Sequence, residues 1–157
     1  MTPRIVRITI LLMFGFSCLM TSRAAVSGNS NTDWFKDARY GVFMHFLPGD
    51  DKQLALVDSF DVNTLAGQLE AMGAQYFVIT LGQNSGYYNS PNAAYDKVTG
   101  YAAGERCSKR DLPLALYEAL KPKGIRLMLY LPCQVPNGDD RAQKAFGLPQ
   151  GRQDQPI

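Results

Sequence analysis

The chain has one histidine and one tryptophan in 157 residues, and the signatures that would announce a cofactor are missing from it. It has no glycine-rich dinucleotide turn, no P-loop, no paired CxxC motif and no HExxH helix. No metal and no organic cofactor is expected. Clustered positive charge is absent too. Setting residues 1–24 aside removes three of the 16 basic residues and none of the 14 acidic ones, which leaves a net charge near −1. With no Lys/Arg cluster to track a phosphate backbone, nucleic acid is not expected as a partner, and a neutral ligand fits better. A third absence is a membrane-spanning run. The uncharged stretch Ile8–Met20 is 13 residues long, against roughly 20 for a helix that crosses a bilayer.

What that stretch does resemble is an export signal. Arg4 and Arg7 precede it and the small-residue sequence Ser22-Arg23-Ala24-Ala25 follows it, so residues 1–24 read as a secretory signal peptide cleaved after Ala24. Export to the periplasm or beyond is expected, with no stable membrane association after cleavage. Cys18 lacks the aliphatic residue three positions earlier that a lipidation signal carries. Residues 25–33 read as a linker. Cys107 and Cys133 then remain, in a compartment where a disulfide persists. Bridging them would add roughly 3 kcal/mol in the chain-entropy model. Spacing alone does not choose between a Cys107–Cys133 bridge and two separate thiols.

Beyond the linker, Tyr40-Gly41-Val42-Phe43-Met44-His45-Phe46 is a short apolar and aromatic run closed by Pro48-Gly49-Asp50, the pattern of a strand. Asp61 and Asn63 offer caps to a helix whose apolar face is Leu65, Leu69 and Met72, ending at Gly73. Tyr76 to Leu81 reads as a strand buried on both faces. A second helix starts at Asp111-Leu112-Pro113, where the proline's missing N–H is harmless, and ends near Gly124. Ile125 to Leu131 is the third strand.

This β-α-β-α-β order predicts an α/β protein with a parallel sheet and helical crossovers. The long connection from Leu81 to Asp111 carries no helical period and follows the carboxyl end of the second strand, where barrel enzymes build their sites. A complete barrel takes about 250 residues, and 133 remain after Ala24. The expectation is therefore the first βαβαβ portion of a (β/α)8 TIM barrel over residues 34–157, truncated, with open apolar strand edges and doubtful stability alone.

The segment from Trp34 to Phe46 resembles the opening strand of the α-L-fucosidases, glycoside hydrolase family 29. In that family an aromatic pair and an Ala-(Lys/Arg)-aromatic-Gly turn lead to a sugar-binding histidine followed by tryptophan. His45 matches the histidine, and Phe46 replaces the tryptophan. Ile79-Thr80-Leu81-Gly82-Gln83-Asn84-Ser85-Gly86-Tyr87 falls where the family has Thr-Ala-Lys-His-His-Asp-Gly-Phe. Ser108-Lys109-Arg110-Asp111-Leu112 is similar to its Lys-Arg-Asp-Leu helix start. The similarity runs from about Trp34 to Pro132. It implies retaining hydrolysis of a fucoside or related glycoside, with an aspartate nucleophile on a strand beyond residue 157.

On that resemblance His45, Gln83 and Asn84 are substrate-binding residues. Gln83 and Asn84 stand where the family has paired histidines, and amides can donate and accept hydrogen bonds without titrating. Phe46, Tyr87 and Trp34 could wall a sugar, although aromatic residues at strand ends also serve as plain core. Tyr88, Tyr95 and Tyr101 could line a cleft or pack the long loop. Asp50, Asp51, Asp139 and Asp140 read as solvated turns, and Asp111 as a helix cap beside a structural Arg110. No catalytic residue is assigned within the chain. Two further readings stand beside the hydrolase fragment: a secreted carbohydrate-binding pseudoenzyme, and a non-catalytic subunit completed by another chain.

Overall fold

The structure, a computed structural model, describes residues 28–133 and 136–148. The signal peptide and the first residues of the linker lie outside them. The rest of the linker is a turn in which the Asn29 carbonyl accepts from the backbones of Thr32 and Asp33, and it runs into a 3-10 helix at Asp33–Lys36.

Three parallel strands form one sheet in the order β1 (Gly41–Met44), β2 (Tyr76–Thr80), β3 (Arg126–Tyr130). Among the described residues five α-helices accompany them: α1 (Asp51–Ala55), α2 (Val62–Ala71), α3 (Ala93–Thr99), α4 (Leu112–Leu120) and α5 (Asp140–Ala145). A 3-10 turn at Lys121–Lys123 prolongs α4 to Gly124.

Side chains alternate across a strand, so Val42, Phe77 and Leu127 share one row of the sheet and Met44 and Ile79 the next. These meet Leu69 of α2 and Leu112, Leu116 and Leu120 of α4, spaced four apart along one helical face, in the main core. Both helices start on the aspartates expected to cap them. Asp61 accepts from Asn63 and Thr64, and Asp111 accepts from Leu114 at 3.0 Å. The N-terminal N–H groups of a helix have no intrahelical acceptor, so Asp111→Ala should lower stability by about 1 kcal/mol, read from the urea midpoint. Arg110 donates through Nη1 to the carbonyls of Val57, Asp58 and Phe60 at 3.2, 3.1 and 2.8 Å. It ties the start of α4 to the α1–α2 turn.

The second strand departs from the expectation of burial on both faces. Phe77 and Ile79 are sealed, but Tyr76 and Val78 are only half-buried. On that other face the 3-10 helix lays Trp34 and Phe35 against Tyr76 at the amino end of the strands, while toward the carboxyl end Phe43 and Tyr130 stand 48% and 42% exposed, so there the face is open. Helices α1 and α5 also replace expected turns. Asp50 caps α1 by accepting from Gln53, and Asp139 caps α5 by accepting from Ala142. The long Leu81–Asp111 connection contains α3, capped by Asn92.

Candidate functional site

His45 sits where β1 leaves the ladder. The last strand pairing is Met44 with Ile79, and two residues later the fully buried side chain of Thr80 takes over. Its hydroxyl accepts from the Phe46 N–H at 2.9 Å and donates to the Phe46 carbonyl at 2.8 Å. His45 is thus held between two fixed points while its ring stays exposed, 4.4 Å from Phe43 and 6.1 Å from Tyr130 by ring centroids. Phe46 turns the other way. Neighbours on an extended segment face opposite sides, so Phe46 packs edge-on to Phe60 in the main core and does not join His45.

Beyond β2, the chain folds tightly at Gln83–Gly86, with the Gly86 N–H donating to the Gln83 carbonyl at 3.0 Å. The Gln83 side-chain oxygen accepts from the Asn84 N–H at 2.7 Å. Ser85 donates to the Pro48 carbonyl at 3.1 Å, and the Gly138 N–H donates to the Asn84 carbonyl at 2.6 Å. The turn is therefore pinned from both sides. Gly86 has φ +79°, and a Cβ there would lie 2.7 Å from Asp139 Oδ2, so the position admits only glycine.

These constraints bring His45, Gln83 and Asn84 into one cavity of about 270 Å³ at the carboxyl ends of the three strands, with Leu47, Tyr130, Pro132 and Cys133 completing its wall. The Asn84 side-chain oxygen is buried with no hydrogen-bond partner among the described residues. An unpaired buried acceptor costs about 1–3 kcal/mol. No motif in the sequence singles out Tyr130, Leu47 or Pro132, although a place at the end of a parallel strand or just after it is itself a signal.

Tyr87 stands outside this cavity. It is buried, donates to Asp51 Oδ1 at 3.0 Å, and carries the Arg106 guanidinium 4.3 Å above its ring. Trp34 lies at the opposite end of the sheet, against Phe35 and Tyr76. Cys107 and Cys133 are both free, the first buried and the second exposed, so no bridge joins them. The carboxylates of Asp50, Asp51, Asp111 and Asp139 are engaged in caps or tyrosine hydrogen bonds, and among the described residues no acidic side chain lines the His45 cavity.

The long loop packs on itself. Tyr95, Tyr101, Cys107 and Ala142 form a second small core beside Tyr88. Burial pushes the Tyr88 phenol and the Cys107 thiol each up to about 12, and it raises Tyr95 further in the same direction. On unfolding these groups would titrate near their ordinary values, about 10 for a phenol and 8.5–9 for a thiol. Between those values and 12 the unfolded chain binds fewer protons than the folded one, so stability falls as pH rises. Near-UV circular dichroism should show the tyrosine-rich loop melting between about pH 9 and 12 with its tyrosines ionising in the same step, whereas tyrosines titrating near 10 in a still-folded chain would contradict it.

No protein-family model matches the chain, and no curated protein matches it in sequence. Among solved structures it is similar to a family 29 α-L-fucosidase from Bacteroides thetaiotaomicron, with TM-score 0.54 and 21% identity over 76% of this chain and 35% of that one. It is similar also to a bacterial fucosidase solved with a monovalent iminocyclitol inhibitor, with TM-score 0.53 and 19% identity over 76% and 35% of the two chains. The Bacteroides enzyme trapped as a covalent intermediate with 2-fluoro-fucosyl fluoride gives TM-score 0.50 and 22% identity over 72% and 34%. The chain spans about a third of the length of these enzymes. At such identities the likeness is one of fold.

Proposed function

We propose that the chain is the amino-terminal βαβαβ portion of an exported α-L-fucosidase-like glycoside hydrolase barrel, supplying part of the sugar-binding rim and not the catalytic carboxylates. The observation that carries this reading is the convergence of His45, Gln83 and Asn84 in one cavity at the carboxyl ends of parallel strands. Barrel enzymes bind substrate on that face. The open side of the sheet, with Phe43 and Tyr130 exposed, supports the barrel as well, because in a closed barrel that side is the packed interior. The fucosidase-like fold of the solved relatives points the same way.

Chemically, the cavity offers an imidazole, two amides and a phenol, which suit neutral hydroxyls. Retaining hydrolysis needs two carboxyl groups about 5–5.5 Å apart, one to attack the anomeric carbon and one to protonate the leaving oxygen. Among the described residues the cavity wall holds none, so both would come from further βα units. The same lack favours a second reading, a secreted module that binds sugar without cleaving it.

Titration of the chain lacking residues 1–24 with methyl α-L-fucoside, followed by calorimetry or NMR, tests the site. His45→Ala should weaken binding by about tenfold or more, the equivalent of about 1.4 kcal/mol, and Gln83→Ala by a smaller factor. A well-folded chain that ignores the sugar, or one indifferent to His45→Ala, would refute the reading. Export is tested by the mass of the secreted product, which should begin at Ala25.

A further inference from the structure

We infer that Gly138 is a positioning residue for the His45 cavity. Through it the aromatic loop core sets the place of Asn84, and with it the affinity for a ligand that never touches that core. The inference rests on the sugar-binding reading for the identity of the ligand, and on contacts alone for the coupling.

Two polar side chains of the cavity, Gln83 and Asn84, stand on the turn that ends at Gly86, and this turn leans on residues distant in sequence. The Gly138 N–H donates to the Asn84 carbonyl at 2.6 Å, Gly86 lies against Asp139, and the Tyr95 hydroxyl donates to the Gly86 carbonyl at 3.3 Å. All three supports belong to the loop core or to the segment that leads into α5. Within the turn the Asn84 N–H is tied to the Gln83 side chain, so a shift of the Asn84 backbone displaces both amides.

Gly138 meets the turn backbone to backbone. Its φ is negative, so the left-handed region is not what calls for glycine there. A Cβ would lie 2.8 Å from the Asn84 carbonyl oxygen, 3.2 Å from its carbonyl carbon and 3.3 Å from the Ser85 Cα. These are main-chain atoms, which cannot swing aside as the tip of a side chain does. Close approach to the turn is therefore the reason for glycine at this position.

Behind Gly138 the support is continuous. The Asp139 N–H donates to the Pro136 carbonyl at 2.9 Å, the Gln143 N–H donates to the Asp139 carbonyl at 2.8 Å, and the buried Gln143 side chain donates to the Asn137 carbonyl. Asp139 in turn holds the Tyr101 hydroxyl. The Pro136–Asp139 turn thus moves with α5 and Tyr101, neither of which lines the His45 cavity. When the loop core opens locally, the Asn84 turn loses its seat, and the apparent affinity falls with the fraction of chains in which the turn is seated. The coupling is reciprocal: a ligand that favours the seated turn favours the closed core to the same degree.

Two measurements on the chain lacking residues 1–24 test this, with methyl α-L-fucoside as the probe. Saturating fucoside should slow hydrogen exchange in α5 and around Tyr101 severalfold, and more than in α2. Uniform slowing along the chain, or none in α5, would overturn the coupling. Gly138→Ala should weaken fucoside binding about tenfold, as follows if the turn stays seated in about one molecule in ten. Asp111→Ala lowers stability without reaching the turn and should bind as the parent does. Equal losses of affinity in the two variants would make Gly138 a matter of stability alone, and undiminished binding by Gly138→Ala would end its positioning role. If Gly138→Ala does not fold, the exchange measurement on the parent decides by itself. A folded parent chain that takes up no fucoside removes the sugar reading and this inference with it. A parent that binds while α5 exchanges as before removes the coupling and leaves the sugar reading standing.

Discussion

Thr80→Val should destabilise the chain by about 2–4 kcal/mol and disorganise the His45 cavity in the same step. Valine has nearly the shape of threonine, so little packing changes, but the hydroxyl disappears from a fully buried position. The N–H and the carbonyl of Phe46 then lose the partner they hold at 2.9 and 2.8 Å. A backbone group left unpaired away from water costs more than an ordinary hydrogen bond contributes. The effect reaches the ligand because His45 is the residue before Phe46, beyond the last ladder pairing at Met44. Chemical denaturation reads the first consequence, and titration with methyl α-L-fucoside reads the second. Thr80→Ser, which keeps the hydroxyl, should restore binding while remaining less stable through its lost methyl. If Thr80→Val and the parent chain take up the proposed fucoside alike, Thr80 does not position His45.

This arrangement shows which parts of the fold were legible in the sequence. Helices α2 and α4 announce themselves twice, through the capping residues Asp61 and Asp111 and through leucines repeating at helical spacing. Strand β2 is equally plain as a strand, yet a run such as Tyr76-Phe77-Val78-Ile79-Thr80 reads the same whether one face or both are covered. Only the packing distinguishes sealed Phe77 from half-buried Val78. Helices α1, α3 and α5 have five to seven residues, too few for a period to emerge. Their sole advance signal is a side chain at the N-cap, and Asp50 and Asp139 look the same in a turn.

The site divides along similar lines. His45, Gln83 and Asn84 follow strand ends, and the parallel order of the sheet carries such positions to one face. Phe46 departs from the expected sugar wall by a rule the sequence already contains, since a residue beside His45 on an extended segment faces the other way. Tyr87 was a different matter. Its partners Asp51 and Arg106 are 36 and 19 positions away, and no local pattern foretells that the long loop folds back to form its own core.

That loop core hangs on Asp139, and Asp139→Ala should release it. The carboxylate accepts from the Tyr101 hydroxyl at 2.9 and 3.0 Å, caps α5 through the Ala142 N–H at 3.1 Å, and lies 4.0 Å from Arg106 Nε. Losing a helix cap costs about 1 kcal/mol and a hydrogen bond to a charged group about 1.5–3 kcal/mol, and these shared contacts are not additive. A total of about 3 kcal/mol exceeds what a small peripheral core commands by itself, so the expected response is local opening and not global melting. Hydrogen exchange should accelerate in α3, α5 and the Tyr101–Cys107 segment while the amides of β2 and α4 keep their protection. Asp139→Asn retains an acceptor for Tyr101 and for the cap, so it should open the loop far less. Faster exchange throughout the chain would show that the loop core and the sheet melt as one unit, and that Asp139 supports the whole fold.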